Sequence, residues 1–408
     1  MNYDDRETRT SEARAADVAM QLPALITHAQ AHSAAAAKQL AGVDANAITD
    51  TSALASLPVL RKSEIVALQS QTAPLGGLEG LALQNIDHLF QSPGPIYEMG
   101  MRSHDWFRLG RFLTAAGVGQ GDRVQNCFSY HLTPAGMMFE SGAKAVGATV
   151  LPAGIGQTEQ QATAAAHLGI TTYAGTPDFL KVILEKADEL GVSLDTLNKA
   201  VVSGGALFPS LRSYYQARGI DCLQCYATAE LGLIAYESQA DTGMIVDEDV
   251  IVEIVTPGTG NPVADGDVGE VLVTLLSNHD YPLIRFATGD LSAWMDGVSE
   301  CGRTNRRIKG WMGRADQTAK IKGMFVRPEQ VAALVAKFEC ISRARVEITR
   351  ENEQDHMTVK LETSDQSIES IAKAAVQELM KVRGDVVLCA PDSLPKDGKV
   401  IDDLRVYD

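Results

Sequence analysis

The sequence is poor in the features that mark secreted, membrane-bound or nucleic-acid-binding proteins. Its six cysteines are scattered over 408 residues, too thinly for the disulfide framework of a small secreted domain, so reduced thiols are expected. No uncharged apolar run reaches spanning length, and Met1-Asn2-Tyr3-Asp4-Asp5-Arg6-Glu7 lacks the basic start and apolar core of a secretory signal. A cytoplasmic location without a membrane partner is the expectation. Positive charge is in deficit: 36 Lys and Arg face 52 Asp and Glu, for a formal net charge of −16. A polyanion would be repelled, and no local basic patch offsets this, so no nucleic-acid partner is expected. Internal repeats are absent, and the only biased tract is an Ala-rich start.

What is present is apolar content, 45% of the chain, enough for a large core and two or more domains. Residues 11 to 40 carry Leu22, Leu25, Ile26 and Leu40 at loosely helical spacing and predict one or two helices. Leu57-Pro58 breaks that pattern, and a short helix restarts with Lys62 or Ser63 near its cap. From 103 to 226 strand-like runs alternate with capped helices. Ser103 is expected to cap a helix carrying Trp106, Phe107, Leu109 and Leu113, and Thr133-Pro134, Thr158 and Thr176-Pro177 to open three more. Gly147, Gly169 and Gly191 end those three. The alternation implies a mainly parallel α/β sheet, whose ligands collect at the carboxyl ends of the strands, in the loops 129–133, 152–158, 203–208 and 226–230. After 245 the runs Val250–Val255 and Glu270–Leu275 predict an antiparallel, barrel-like section. A boundary near 313–323 is followed by the elements of a small α+β domain. The expected division is 1–315 and 316–408.

Candidate chemistry lies in four places. Tyr226-Ala227-Thr228-Ala229-Glu230 leaves a strand at its carboxyl end with an aromatic ring and a carboxylate on one loop. Asp290 ends Arg285-Phe286-Ala287-Thr288-Gly289-Asp290, a turn that can aim a carboxylate at a sugar diol. Gly313-Arg314-Ala315-Asp316 and Ile321-Lys322-Gly323 follow. Lys399 comes after Gly398 in a loop able to deliver an ammonium group. A reaction that brings two anions together needs a metal carboxylate, cationic charge and fixed donors at the attacked phosphorus. Singly these signals are weak, because an Asp after Thr-Gly usually serves a turn and a Lys near a C-terminus is usually solvated.

In this order the motifs resemble the adenylate-forming superfamily, and specifically the phenylacetate-CoA ligase family. The resemblance runs nearly end to end, through Phe128–Leu132, Gly147–Pro152 and Tyr281–Phe286. It implies a large N-terminal AMP-binding domain and a small mobile C-terminal domain hinged at Asp316. The implied reaction joins a carboxylate with ATP to give an acyl-adenylate and pyrophosphate, then an acyl-CoA and AMP. The implied partners are a small-molecule carboxylate and CoA, with Mg²⁺ as cofactor and a homodimer as the assembly. The resemblance assigns adenine to Tyr226 and to the Gly204-Gly205-Ala206 loop, with Ala227 and Thr228 beside the nucleotide. Mg²⁺ falls to Glu230, the ribose to Asp290 and adenylation to Lys399, and Arg314 lies close to the nucleotide. The Lys322-Gly323 loop is assigned to the thioester step, and Tyr130 and Gly154 to the acyl pocket.

One segment departs from the family. Its phosphate loop is rich in Ser, Thr and Gly and carries a Lys; here the corresponding stretch is Gln91 to Gly100, with Ser92, Gly94 and Tyr97 as its remaining candidates. Pro93 and Pro95 have no N–H to donate, no Lys is present, and Glu98 adds a negative charge. Arg102 is a possible replacement cation. Ala229 stands where the family has Ser or Thr, and Ala206 where it has Glu. Two readings follow: a carboxylate–CoA ligase with altered pyrophosphate handling, or a non-activating homologue that binds AMP or acyl-CoA or accepts a pre-formed acyl-adenylate. Cys222 and Cys225 have clip spacing, with Cys301 further on, but a second clip pair is missing and zinc is not expected. His28 and His32, one helical turn apart, read as a structural surface, and Trp294 and Trp311 as packing anchors.

Overall fold

The computed structural model describes residues 1–405 apart from Pro93, Gly94, Ala206, Asp316, Thr318, Lys322, Gly323, Asn352, Glu353, Lys396 and Gly398. The chain forms two compact units. The first comprises Met1–Val252, Val273–Phe286 and Met295–Trp311, and the second Glu253–Leu272, Ala287–Trp294 and Met312–Asp408.

The first unit is organised by a sheet whose parallel part runs, in spatial order, Asp221–Thr228, Lys199–Val202, Thr172–Gly175, Arg123–Asn126 and Thr149–Pro152. Gly232–Tyr236 and Met244–Val246 extend it antiparallel from the first of these. Side chains alternate along each strand, so both faces are covered. Val201, Leu223 and Cys225 join Phe112, Leu113, Met138 and Phe139 in one core. Ala200, Val202 and Cys222 join Leu180, Ile183, Leu184 and Tyr215 in the other. Cys222 and Cys225 therefore project to opposite faces and do not form a metal clip. Burial pushes both thiols up to about 12. A third core ties the N-terminal helix Ser11–His32 to Leu54, Leu57 and Ile284 through Leu22, Leu25 and Ile26.

The second unit contains a four-stranded sheet in the order Asp385–Cys389, Gln354–Thr363, Ile341–Glu351, Ile401–Asp403. The helices Pro328–Ala336 and Glu369–Met380 pack on it through Val331, Leu334, Ala372 and Val376. A large mixed α/β fold with a smaller α+β fold is thus the architecture. Among the described residues no helix is long and apolar enough to cross a membrane.

Several local expectations differ from the structure. The helix expected from Ser103 spans only Gly110–Ala115. Asp105 and Arg108 take the left-handed conformation, with φ of 49° and 65°, and Arg108 turns inward to donate to the Leu231 and Leu233 carbonyls at 2.5 and 2.9 Å. A buried guanidinium with backbone acceptors outweighs the helical propensity of the segment. The next helix begins at Ala135 with Pro134, not Thr133, at its N-cap. Asp290 lies inside the strand Phe286–Ser292 instead of ending a turn. Gly289, at φ 74°, bends the strand so that Thr288 Oγ1 accepts from the Asp290 N–H at 3.1 Å. Trp311 is 53% exposed and anchors nothing.

One contact governs the entry to the site. Arg285 is 1% exposed, and its guanidinium donates to the Ala55 carbonyl at 2.9 Å and to that of Leu57. Its own carbonyl accepts from the Leu60 N–H at 3.0 Å. Arg285 thereby fixes the chain just before the helix Lys62–Gln71. Replacing Arg285 with Ala leaves two buried carbonyls without donors, and at about 1–3 kcal/mol per lost partner it is expected to lower the first transition in a urea melt by roughly 3 kcal/mol. A surface control, Lys144→Ala, is expected to leave that transition in place.

Candidate functional site

The turn after the strand Asp221–Thr228 holds Glu230, which is 3% exposed. The next strand opens at Gly232, whose φ is 70° and where a Cβ would come 2.7 Å from the Phe107 carbonyl oxygen. Only glycine lets the chain reverse so tightly there. The Glu230 carboxylate meets Lys62 at 2.7 Å, from the first turn of the Lys62–Gln71 helix. At the other end of that helix Gln69 clamps Tyr97, donating to its carbonyl at 2.6 Å and accepting from its N–H at 2.9 Å.

Tyr97 belongs to an antiparallel hairpin, His88–Ser92 paired with Ile96–Gly100, which is the form taken by the segment matched to the phosphate loop. The Ser92 hydroxyl points inward and donates to the Glu98 carboxylate. Glu98 is 1% exposed, and its Oε2 is buried without a hydrogen-bond partner. Burial, opposed by the Ser92 hydroxyl and reinforced by the charge of Glu230, pushes the Glu98 carboxyl up to about 7. Lys62, Glu230, Glu98 and Ser92 thus share one buried corner of the first unit. The cation expected at Arg102 is not in this corner; Arg102 lines a cavity of about 360 Å³ with Phe90, Phe107, Tyr130 and Met137.

In the second unit Asp290 accepts from the Arg314 guanidinium at 2.9 Å, and the two residues also form a backbone bridge. Arg314 and Lys399 line a single cavity of about 300 Å³. Gln317 joins their segments: its Oε1 accepts from the N–H groups of Val400 and Ile401 at 2.6 and 2.8 Å, and its amide donates to the Arg314 carbonyl at 3.2 Å. The Lys399 ammonium is held by Asp402 at 3.0 Å and is half exposed.

The remaining candidates occupy strand ends of the first unit. Gly204 and Gly205 are exposed after Lys199–Val202, where the Ser203 hydroxyl donates to the Cys225 carbonyl at 3.0 Å. Tyr226 is buried, whereas Ala227 and Thr228 are half-buried. Asn126, at the end of its strand, donates to the Tyr130 hydroxyl at 2.8 Å and accepts the Gly154 N–H at 3.0 Å through its carbonyl. Gly94, Ala206, Asp316, Lys322 and Gly323 lie outside the described residues. Among the described residues no three His, Cys, Asp or Glu side chains converge to hold a metal ion. Lys62, Gln317 and Asn126 escaped the sequence reading as site residues. Lys62 had been seen only as a helix start, and no spacing rule connects it to Glu230.

A family profile for AMP-binding enzymes matches residues 130–275. Phenylacetate-coenzyme A ligase of Escherichia coli K12 is 30% identical over 320 residues, covering 74% of this chain and 72% of that protein. The same-named protein of Thermus thermophilus is 29% identical over 278 residues, and the match spans 66% of this chain and only 62% of that protein's length. A crystal structure of 2-hydroxyisobutyryl-CoA ligase in the postadenylation state superposes with a TM-score of 0.73 over 98% of this chain and 91% of that one, at 23% identity. That likeness is one of fold.

The raised Glu98 carboxyl makes stability depend on pH. The folded chain keeps a proton that the unfolded chain loses above about 4.5, so stability from this group is full below that pH and is lost as pH rises through about 7. At about 1.4 kcal/mol per unit the loss is on the order of 3 kcal/mol. Glu98→Gln is expected to flatten this slope in urea melts between pH 5 and 8 and to be more stable than the parent at pH 8.

Proposed function

This chain belongs to the adenylate-forming acyl- and aryl-CoA ligase superfamily, and from that premise we propose that it is an AMP-forming carboxylate–CoA ligase of the phenylacetate-CoA ligase type. The observation that carries the reading is the Lys62–Glu230 pair. It supplies a cation beside Glu230, the charge that Gln91 to Gly100 lacks.

The roles follow from the chemistry of each group. Two anions, a carboxylate and a triphosphate, repel each other, and the attack develops further charge on the α-phosphate oxygens. Lys62 sits at the start of a helix, where its ammonium and the helix N-terminus both favour anionic oxygens. Glu230 has a buried Oε1 without a well-directed hydrogen bond, which fits a carboxylate meant for a cation; bound there, Mg²⁺ would neutralise phosphate oxygens. Asp290, held in place by Arg314, offers its second oxygen to a ribose hydroxyl. Lys399, half exposed and held by a single carboxylate, can exchange Asp402 for a phosphate or carboxylate oxygen of the substrate. Tyr130, positioned by Asn126, offers a polar edge to an acyl group in an otherwise largely apolar cavity. An aromatic or branched small acid suits that volume.

The test is incubation with ATP, Mg²⁺, CoA and a panel of aryl and short acyl carboxylates. The expected outcome is acid-dependent pyrophosphate release with thioester formation, reduced at least about 100-fold in Lys399→Ala. Absence of pyrophosphate release with every acid, from folded protein that still binds AMP or acyl-CoA, would establish the non-activating alternative instead.

A further inference from the structure

Glu98 has no part in the reaction just described, yet it is buried in the same corner. Its Oε1 is satisfied by Ser92, while its Oε2, the Glu230 Oε1 and the Tyr281 hydroxyl are all buried without a hydrogen-bond partner. Tyr281 is fully buried, and it lies close enough to Glu98 and Glu230 for both charges to hold its proton on. One ammonium group, that of Lys62, faces two buried carboxylates. A single cation cannot neutralise both, and unmatched buried carboxylates are strongly disfavoured. A proton on Glu98 would remove one charge but would leave a buried O–H with no acceptor at Oε2. A metal ion satisfies both carboxylates at once, and Mg²⁺ is commonly held by one or two carboxylates with water completing its shell.

We propose that Glu98 and Glu230 together hold a divalent cation of the Mg²⁺ class before any nucleotide is present, with Lys62 as the resident counter-ion that the metal displaces. The Lys62 side chain is 38% exposed, so its flexible stem can move toward solvent when the metal arrives. Tyr281 supplies a hydroxyl that can bond a metal-bound water or orient a carboxylate. The hairpin that replaces the phosphate loop then has a purpose of its own: it exchanges a phosphate-binding lysine for a second metal carboxylate. The inference rests on Glu230 being the metal carboxylate of the proposed reaction.

The experiment is a Mn²⁺ titration of the intact protein without ATP, AMP or CoA, read by the electron paramagnetic resonance signal of free Mn²⁺. One saturable site is expected, weakened at least about 10-fold in Glu98→Gln and tightened in Lys62→Met, with Mg²⁺ competing. Lys62 is half exposed, so its variant keeps the test decisive if Glu98→Gln does not fold. No saturable Mn²⁺ binding by the parent, unchanged binding in Glu98→Gln, or unchanged or weaker binding in Lys62→Met overturns the proposal. The titration involves no turnover, so its failure leaves the ligase reading standing, and failure of pyrophosphate release leaves the metal site standing.

Discussion

A carboxylate buried at the end of a strand must be matched by positive charge, and in this protein the match for Glu230 comes from a helix near the start of the chain. Glu230 is 3% exposed and Lys62 lies 2.7 Å from it. Without the lysine, the carboxylate would carry the cost of a buried unpaired charge, several kcal/mol even after relaxation. The N-terminal segment is thus tied to the strand-end loops by charge as well as by apolar packing.

That pairing depends on a chain of fixed contacts. Arg285 bonds the carbonyls of Ala55 and Leu57 and receives Leu60, which sets where the helix bearing Lys62 begins. Gln69, at the far end of the same helix, holds the hairpin through both backbone groups of Tyr97 and so places Glu98. One ten-residue helix therefore positions a cation and a carboxylate in a single corner. The altered phosphate segment is not a decayed loop in this account. Its hairpin pairing, its inward Ser92 and its helix clamp are the marks of an ordered element with a different charge.

The parallel sheet and its helices were legible because period-two apolar runs, proline at helix starts and glycine at helix ends are local signals. Thr176-Pro177 and Gly191 bound a helix as expected, as do Thr158 and Gly169. Where tertiary contacts decide, the local reading fails: nothing around Ser103 announces that Arg108 will leave the helix for the carbonyls of Leu231 and Leu233. The motif residues Glu230, Asp290, Arg314 and Lys399 could be named from their order, and the structure pairs Asp290 with Arg314 and sets Arg314 beside Lys399. The partner of Glu230 could not be named, because a contact between a helix N-terminus and a remote strand end leaves no periodicity in the sequence. The clip spacing of Cys222 and Cys225 misled for the converse reason, since three residues along a strand put the thiols on opposite faces.

The claim that Lys62 and Glu230 act as one unit in nucleotide binding is tested most directly by a double-mutant cycle. ATP affinity in the presence of Mg²⁺ would be measured by calorimetry for the parent, Lys62→Met, Glu230→Gln and the double variant. Residues in contact couple by about 0.5–3 kcal/mol, whereas independent sites add to within about 0.5 kcal/mol. The account predicts a coupling of about 1 kcal/mol or more. Additive losses, or an ATP affinity indifferent to Lys62→Met, would contradict it.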